Sequence, residues 1–285
     1  MTPAENAGSA PAIASGDTKI PARGFGTWRL RDDVCRTAVK AALDIGYRHI
    51  DTAAMYGNEA EVGDGIRNSG VARRDVFLTT KVWTDDIEEE ALLRSVRQSL
   101  ARLKLDDVDL LLIHWPNRAI PLESSIRGLC RARREGLARS VGVANFPVAL
   151  MKQAIDLASR DGERIVANQC EYHPWLDQTK LIEACKASNV VFTSYSPLGR
   201  GDLMAEPAIQ DMARRLGRTA SQVILRWHLQ QGIAAIPRSS TPDHIAENFD
   251  IMNFELSGAD MDKLASLRRP AGRLVDPDFA PQWDR

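Results

Sequence analysis

The sequence predicts a (β/α)8 barrel, a ring of parallel strands surrounded by helices. Short apolar segments alternate with longer segments of helical periodicity along most of the 285 residues, and such alternation is typical of parallel strands joined by crossover helices. Eight of these units follow one another, which is the number that closes a barrel. The alternative is an open doubly wound sheet, but the GFG sequence at residues 24–26 continues as TWR and lacks the G-x-G-x-x-G fingerprint of that fold.

The N-terminal part of the chain is expected to lie outside the ring of strands. Residues 1–10 lack the basic start and the apolar stretch of a signal peptide and are expected to form a flexible extension. Residues 12–14 and 19–21 flank a Ser-Gly-Asp turn signal, which predicts a short β-hairpin closing the bottom of the barrel. Residues 11–285 are expected to form one domain, because no linker or charge run divides them.

Each barrel strand is predicted from a short apolar run. The clearest is residues 108–114, where the run is nearly continuous, as expected for a strand buried on both faces. The predicted strands are residues 24–27, 47–50, 76–81, 108–114, 140–143, 165–167, 190–195 and 233–236.

The helices are predicted from apolar residues at helical spacing, most clearly in residues 88–104. Asp32 is expected to cap the first helix, and Gly46 to end it. The predicted helices are residues 32–45, 59–68, 88–104, 122–134, 147–159, 177–187, 206–216, 219–230 and 242–249.

Composition argues against several classes of function. The formal charge of −1 provides no basic field for nucleic acid or anionic lipid, and no apolar run reaches the roughly 20 residues that span a bilayer. The four cysteines are scattered without a CxxC pair, which argues against a zinc site or a disulfide framework and suits a reducing cytoplasm. We therefore expect a cytoplasmic monomer without a metal, a nucleic-acid partner or a membrane segment.

Polar and aromatic residues follow or close most of the predicted strands. In a parallel barrel these C-terminal strand ends converge on one mouth, where barrel enzymes have their active sites. The residues concerned are Asp51, Lys81, His114, Asn145, Asn168, Gln169, Tyr195 and Arg238.

Asp51, Tyr56, Lys81 and His114 form a candidate proton-donating set. A phenol has a pKa near 10, and a neighbouring ammonium group lowers that pKa, so that Tyr56 could release a proton. Asp51 would keep Lys81 charged, and a neutral His114 could orient a substrate carbonyl by a hydrogen bond. A carbonyl that becomes an alcohol also needs a hydride, for which a nicotinamide cofactor is the economical source.

Each of these residues also has an ordinary structural explanation. Asp51 could cap a helix or form a structural ion pair, Tyr56 could be a half-buried aromatic residue, and His114 could be a core histidine. Lys81 could instead be the Schiff-base nucleophile of an aldolase. The shared position and the complementary roles of the four residues together favour the proton-donating interpretation.

Several motifs in the sequence resemble those of the aldo-keto reductase family, particularly of its bacterial members similar to 2,5-diketo-D-gluconate reductases. The resemblance covers roughly residues 18 to 270, with the motifs in the family's order. The motifs are GYRHIDTA (46–53), YGNE (56–59), LLLIHWP (110–116), SVGVANF (140–146), NQCEYHP (168–174), IPRSSTP (236–242) and ENF (247–249).

This resemblance implies a barrel that binds NAD(P)H across its mouth and reduces aldehydes and ketones such as small dicarbonyls, methylglyoxal and keto-sugar acids. Tyr56 would be the general acid, supported by Lys81 and Asp51, while His114 orients the carbonyl. The residues implied in cofactor binding are Thr27, Trp28, Asn145, Gln169, Tyr195, Ser196, Leu198, Gly199, Arg238, Ser239, His244, Glu247 and Asn248. Trp28, Trp83 and Trp115 would form an aromatic slot for the substrate.

Two departures from the family pattern concern the cofactor. Ala144 replaces the usual Ser before Asn145, which removes one hydrogen bond to the nicotinamide carboxamide. Arg238 replaces a Lys, and His244 an Arg, around the 2′-phosphate. Arg238 can still grip a phosphate, whereas His244 is mostly neutral at pH 7. We therefore expect a preference for NADPH with appreciable use of NADH.

Two matters stay open at the level of sequence. Residues 272–283 could fold over the mouth or form a disordered tail. A barrel that binds nucleotide to regulate a partner without catalysis is the remaining alternative to an enzyme, although the complete set of Asp51, Tyr56, Lys81 and His114 argues against it.

Overall fold

The computed structural model describes residues 11–284, so that the predicted extension at residues 1–10 lies outside the described part. The strands are β1 Ala12–Ser15, β2 Thr18–Pro21, β3 Gly24–Gly26, β4 His49–Asp51, β5 Phe77–Val82, β6 Val108–Ile113, β7 Ala138–Ala144, β8 Ile165–Glu171, β9 Val191–Tyr195 and β10 Ala234–Ala235. The helices are α1 Asp32–Ile45, α2 Glu59–Asn68, α3 Glu89–Leu103, α4 Leu122–Arg134, α5 Val148–Arg160, α6 Thr179–Ala187, α7 Pro207–Leu216, α8 Ala220–Gln230, α9 Pro242–Phe249 and α10 Gly258–Ala265.

The predicted (β/α)8 barrel is confirmed. Strands β3 to β10 pair in sequence order as one parallel sheet of eight strands. Hydrogen bonds between the segments around β3 and β10 close the ring, from Ala235 N–H to the Ala22 carbonyl at 2.9 Å and from Gly26 N–H to the Pro237 carbonyl at 2.9 Å. The C-terminal ends of all these strands therefore surround one mouth.

The predicted hairpin, β1 and β2, closes the opposite end of the barrel. Its Ile20 is fully buried and packs in a cluster with Leu110, Val166 and Val191 inside the ring. The ring of His49 lies 3.2 Å from the Pro21 carbonyl and 3.1 Å from the Thr79 hydroxyl, which ties the hairpin to the barrel strands. The bottom of the barrel is therefore filled by side chains.

Local details differ from the sequence-based expectations at a few element ends. Asp32 does not cap α1 but is its first residue, following Arg31, and with Asp33 it places negative charge in the first turn, where the helix dipole favours it. Helix α10 was not expected, although Ser257 and Asp260 form a reciprocal capping box at its start. None of the helices in residues 11–284 combines the length and the apolar composition needed to cross a membrane.

The buried position of Ile20 leads to a prediction about stability. Ile20→Ala is expected to lower the free energy of unfolding by about 2–5 kcal/mol, because it leaves a cavity at the barrel bottom. Catalytic rates should stay the same, because the mouth lies at the other end. Urea unfolding measures the first effect, with Val34→Ala as control, since Val34 is 51% exposed and its truncation should cost no more than about 0.5 kcal/mol. A loss as small as that of the control would contradict the account of the hairpin.

Candidate active site

The four residues of the candidate proton-donating set come together at the mouth. Asp51 ends β4, Lys81 lies near the end of β5, and His114 directly follows β6. Tyr56 ends a short 3-10 turn, Ala54–Tyr56, that follows β4. Because β4, β5 and β6 are neighbours in the sheet, their ends bring the four side chains to one place.

Lys81 is the centre of this set. Its Nζ donates hydrogen bonds to Asp51 Oδ1 at 2.5 Å, to the Thr52 carbonyl at 2.9 Å and to the Tyr56 hydroxyl at 3.3 Å. The side chains of Lys81 and Asp51 are 0% and 1% exposed. An ammonium group is therefore held against the phenol oxygen in a water-excluded environment, where electrostatic interactions are strong.

The pKa values of Lys81 and Tyr56 reflect this contact. Burial lowers the pKa of Lys81, but the charge of Asp51, the contact with Tyr56 and the hydrogen bonds to both outweigh it, and the net pKa is raised. Lys81 therefore stays protonated. For Tyr56, burial and the charge of Asp51 raise the pKa, the charge and hydrogen bond of Lys81 lower it, and the net pKa lies above its ordinary value. The expected lowering by Lys81 exists, but burial and Asp51 together outweigh it, and the phenol keeps its proton at neutral pH.

His114 is placed beside Tyr56 in neutral form. The ring centroids of the two residues are 5.6 Å apart, edge to face. Burial and the charge of Lys81 hold the pKa of His114 well below its ordinary value. Its Nδ1 atom is buried without a hydrogen-bond partner among the described residues. A neutral imidazole at this position can form a hydrogen bond to a carbonyl without carrying charge.

Two side-chain amides and a second phenol lie beside these four residues. Gln169, on β8, donates a hydrogen bond from Nε2 to Asp51 Oδ2 at 2.7 Å, which leaves its carbonyl oxygen able to accept from a ligand. Asn145 donates to the His114 carbonyl at 2.9 Å, and its oxygen accepts from the Tyr195 hydroxyl at 2.9 Å. Ala144 precedes Asn145 without a hydroxyl, as the sequence indicated. These contacts fix a planar amide and an aromatic ring in place beside Tyr56.

A cavity of about 430 Å³ opens above these residues, which is within the range of small-ligand sites. Three of its lining residues are arginines, Arg29, Arg200 and Arg238, whereas its one carboxylate, Asp51, is paired with Lys81. Such a cavity favours an anionic ligand. The other lining residues that the sequence had singled out are Trp28, Tyr56, His114, Trp115, Asn145, Gln169, Tyr195, Ser196 and Leu198.

Other residues singled out from the sequence do not form the wall of this cavity. Lys81 lies behind Tyr56, and the hydroxyl of the buried Thr27 donates to the Asp51 carbonyl at 3.0 Å. Glu247 accepts a hydrogen bond from Thr219 at 2.8 Å, next to the start of α8. The remaining residues that do not line the cavity are Trp83, Gly199, Ser239, His244 and Asn248. Their roles in binding stay predictions.

The C-terminal segment, which we define as residues 272–284, lies over the mouth rather than away from it. Val275 lines the cavity. The ring of Phe279 stands 5.9 Å from Trp83 and 5.6 Å from Trp115, edge to face in both cases. Trp83 in turn contacts the ring of His114 at 5.3 Å. The segment therefore extends the aromatic wall that the three tryptophans were expected to form.

Sequence reasoning missed several lining residues. Arg29 follows the end of β3, and the rule that selected the other strand-end residues could have found it. Arg200 and Gly201 lie in an irregular 3-10 segment, Gly199–Ala205, with positive φ angles of 57° and 107°, for which the sequence gives no periodic signal. Val275 reaches the cavity only through the path of the C-terminal segment.

The fold and the site define a class of protein. A closed barrel whose mouth holds a phenol against a buried ammonium, with a neutral histidine beside it and a positively charged cavity above, has the groups of a carbonyl reductase. The residues described include no cluster of three or more side chains that could hold a metal ion.

Comparison with known proteins identifies the family. The Aldo/keto reductase family matches residues 23–269. The chain is 42% identical over 268 residues to the methylglyoxal reductase DkgB of Yersinia pestis, covering 93% of this chain and 99% of that protein. It is 43% identical over 276 residues to an aldo-keto reductase of Mycobacterium avium, covering 96% of each.

Solved structures agree with this result. A structure provisionally assigned to a 2,5-diketo-D-gluconic acid reductase B superimposes with a TM-score of 0.94 at 41% identity and covers 97% of this chain and 98% of its own. An aldo-keto reductase from Bombyx mori in complex with NADP gives a TM-score of 0.87 at 31% identity, with coverage of 96% and 99%. The chain belongs to the aldo/keto reductase family, and it is an oxidoreductase that reduces carbonyl groups.

The geometry around Lys81 leads to a prediction about pH dependence. Asp51→Asn removes the carboxylate that favours the ammonium form, so the pKa of Lys81 should fall and its charge should be lost at lower pH. The expected result is a decrease in kcat of about 10- to 100-fold at pH 7 and a shift of the alkaline limb of the kcat profile to lower pH. Asp64→Asn, on the partly exposed surface of α2, is the matched control. An alkaline limb that did not move would contradict the role given to Asp51.

Proposed function

We propose that the protein is an NADPH-dependent reductase of small aldehydes and ketones that also accepts NADH. The observation that carries this proposal is the hydrogen bond from the buried Lys81 to the Tyr56 hydroxyl at 3.3 Å, beside a neutral His114 and below a cavity lined by arginines. The similar aldo-keto reductase from Bombyx mori was solved in complex with NADP, which supports an NADP cofactor for this protein.

The residues present suit a nicotinamide nucleotide. Asn145 and Gln169 offer amide groups for the carboxamide, and Tyr195 offers a ring for stacking. Ser196, Leu198 and Gly199 would follow the pyrophosphate, and Arg238 with Ser239, His244, Glu247 and Asn248 would meet the adenosine end. When bound, the cofactor would supply the hydride that a carbonyl carbon needs. Thr27, buried under Asp51, would support the site from below.

The chain's own residues then supply the proton. Tyr56 gives its hydroxyl proton to the oxygen of the substrate, and the Lys81 ammonium, at 3.3 Å, stabilises the phenolate that remains. Asp51 keeps Lys81 charged, and His114 directs the substrate oxygen toward Tyr56 by a hydrogen bond. The raised pKa of Tyr56 means that the proton is retained until negative charge develops on the substrate oxygen.

The preference for NADPH rests on Arg238. Arg238→Met is expected to lower the ratio of kcat/KM for NADPH to kcat/KM for NADH by about 10- to 100-fold, because a charge-assisted phosphate contact is worth about 1.5–3 kcal/mol. His244→Arg should raise the same ratio. Wild-type kcat/KM values that favour NADH more than tenfold would contradict the proposed preference.

The proposed substrates are small dicarbonyls and keto-sugar acids. The relatives include proteins named for methylglyoxal and 2,5-diketo-D-gluconate, and Trp28, Trp83 and Trp115 provide flat aromatic surfaces for small carbonyls. The test is a panel containing both compounds, assayed with NADPH and with NADH. Measurable turnover of at least one of them is expected.

Tyr56→Phe is the decisive variant in this assay. Loss of the hydroxyl should lower kcat by about 10²- to 10⁴-fold, while the Kd for NADPH, measured by fluorescence titration, stays within about twofold. Full activity of this variant would disprove the mechanism. A wild-type protein that binds NADPH and turns over no carbonyl would favour a non-catalytic nucleotide-binding function, and borohydride trapping of a substrate on Lys81 would favour the aldolase; the family comparison supports neither.

Two further proposals concern the cellular compartment and the oligomeric state of the protein. All four cysteines are buried free thiols, which supports a reducing compartment such as the cytoplasm. We also propose that the protein acts as a monomer, the state expected from its near-zero formal charge; sedimentation at assay concentration tests this.

A further inference from the structure

Glu171 is a buried carboxylate with no part in the proton-donating set. It ends β8, two residues after Gln169, and its side chain is 0% exposed. Its Oε1 accepts the backbone N–H of Leu274 at 2.7 Å, and its Oε2 accepts that of Val275 at 2.9 Å. Both donors belong to the C-terminal segment, about one hundred residues away in sequence.

Much of the hydrogen bonding of the Glu171 carboxylate comes from this segment. A buried carboxylate is costly unless hydrogen bonds replace its hydration. Within residues 11–284 Glu171 has no Lys or Arg partner at ion-pair distance, and its other side-chain contact is His173 Nε2 at 2.9 Å. Two of the groups that replace water around the carboxylate are therefore backbone amides of the C-terminal segment, and displacing that segment would leave the charge poorly satisfied.

The loop after β8 also contacts residues 269–272, which come just before Leu274 and Val275 in the chain. Arg269 N–H donates to the Trp175 carbonyl at 2.8 Å, and its guanidinium carbon lies 4.0 Å from the centroid of the Trp175 ring. Gly272 passes so close that a Cβ built on it would stand 1.9 Å from the Trp175 carbonyl oxygen. Only glycine fits at this position without displacing the backbone.

Beyond this contact the segment forms part of the substrate side of the mouth. Val275 lines the cavity, and the Trp283 ring stands 6.0 Å from Trp115. The guanidinium carbon of Arg273 lies 3.6 Å from the Trp283 ring centroid. Because Phe279 packs on Trp83 and Trp115, a displaced segment would leave these tryptophans as an open surface.

We propose that Glu171 is the positioning residue that holds the C-terminal segment over the cavity and thereby sets the affinity for the carbonyl substrate. This inference rests on the proposed function, in that it assigns Glu171 to the substrate side of the same site. Strand β8 then serves both partners of the reaction, with Gln169 toward the cofactor and Glu171 toward the wall that faces the substrate.

The first test is Glu171→Gln, which keeps the size of the side chain but turns an N–H donor toward one of the two backbone amides. Trypsin cleavage after Arg273, followed by mass spectrometry in the absence of substrate, is expected to accelerate at least fivefold. KM for methylglyoxal is expected to rise at least fivefold, whereas kcat and the Kd for NADPH stay within twofold.

A second variant changes the C-terminal segment itself rather than Glu171. Gly272→Ala should produce the same faster cleavage and the same rise in KM through the close approach to Trp175. The double variant should have the KM of the more affected single variant, because both changes release one segment. Glu163→Gln, at a buried carboxylate paired with Arg133, and Gly258→Ala, where a Cβ meets nothing within 4 Å, are the matched controls.

The proposal is overturned if Glu171→Gln cleaves at the wild-type rate, if it raises KM without loosening the segment, or if its effect on KM multiplies with that of Gly272→Ala. It is also overturned if Glu163→Gln gives the same result. The cleavage rates need no turnover. A wild-type protein inactive on every carbonyl would therefore refute the proposed function and the effect on KM, while the cleavage rates would still decide whether Glu171 holds the segment.

Discussion

The site depends on the buried ion pair between Lys81 and Asp51. Both side chains are almost completely removed from water, and the cost of dehydrating two charges makes such a pair a weak source of stability. Its value is chemical. The carboxylate favours the ammonium form in a place where burial lowers the pKa of Lys81, and the ammonium lies 3.3 Å from the Tyr56 hydroxyl. A phenol whose pKa is raised by burial can then donate, because the charge that stabilises the phenolate is already in place.

Much of the fold could be predicted because the signals are local. The bounds of α1, α2 and α4 follow from periodicity and from their flanking turn residues, which act within a few positions. The clustering of the candidate proton-donating set could be predicted because three of its members lie at the ends of consecutive strands, and a parallel barrel brings such positions together. Tyr56 needed more, since it lies on the turn after β4 and was found through its spacing from Asp51.

The rest could not be read from the sequence because it depends on contacts between distant segments. Nothing around Glu171 indicates that its carboxylate meets the amides of Leu274 and Val275. The predicted lowering of the Tyr56 pKa was likewise wrong in its net direction, because burial and the charge of Asp51 raise this pKa and outweigh the effect of Lys81. Helix α10 is a different case, because its Ser257–Asp260 capping box is a local signal that could have been read.

Strand β8 connects the ion pair of Lys81 and Asp51 with the C-terminal segment. Alternate residues of a strand point to the same side, so that Gln169 and Glu171 both reach the mouth. Gln169 donates to the second oxygen of Asp51 at 2.7 Å, while the first oxygen holds Lys81. Continuous hydrogen bonds therefore run from the Gln169 amide, through Asp51 and Lys81, to the Tyr56 hydroxyl. Under the proposed function, a cofactor that reorients Gln169 would change the second hydrogen bond of Asp51 and thereby the electrostatic environment of Lys81 and Tyr56.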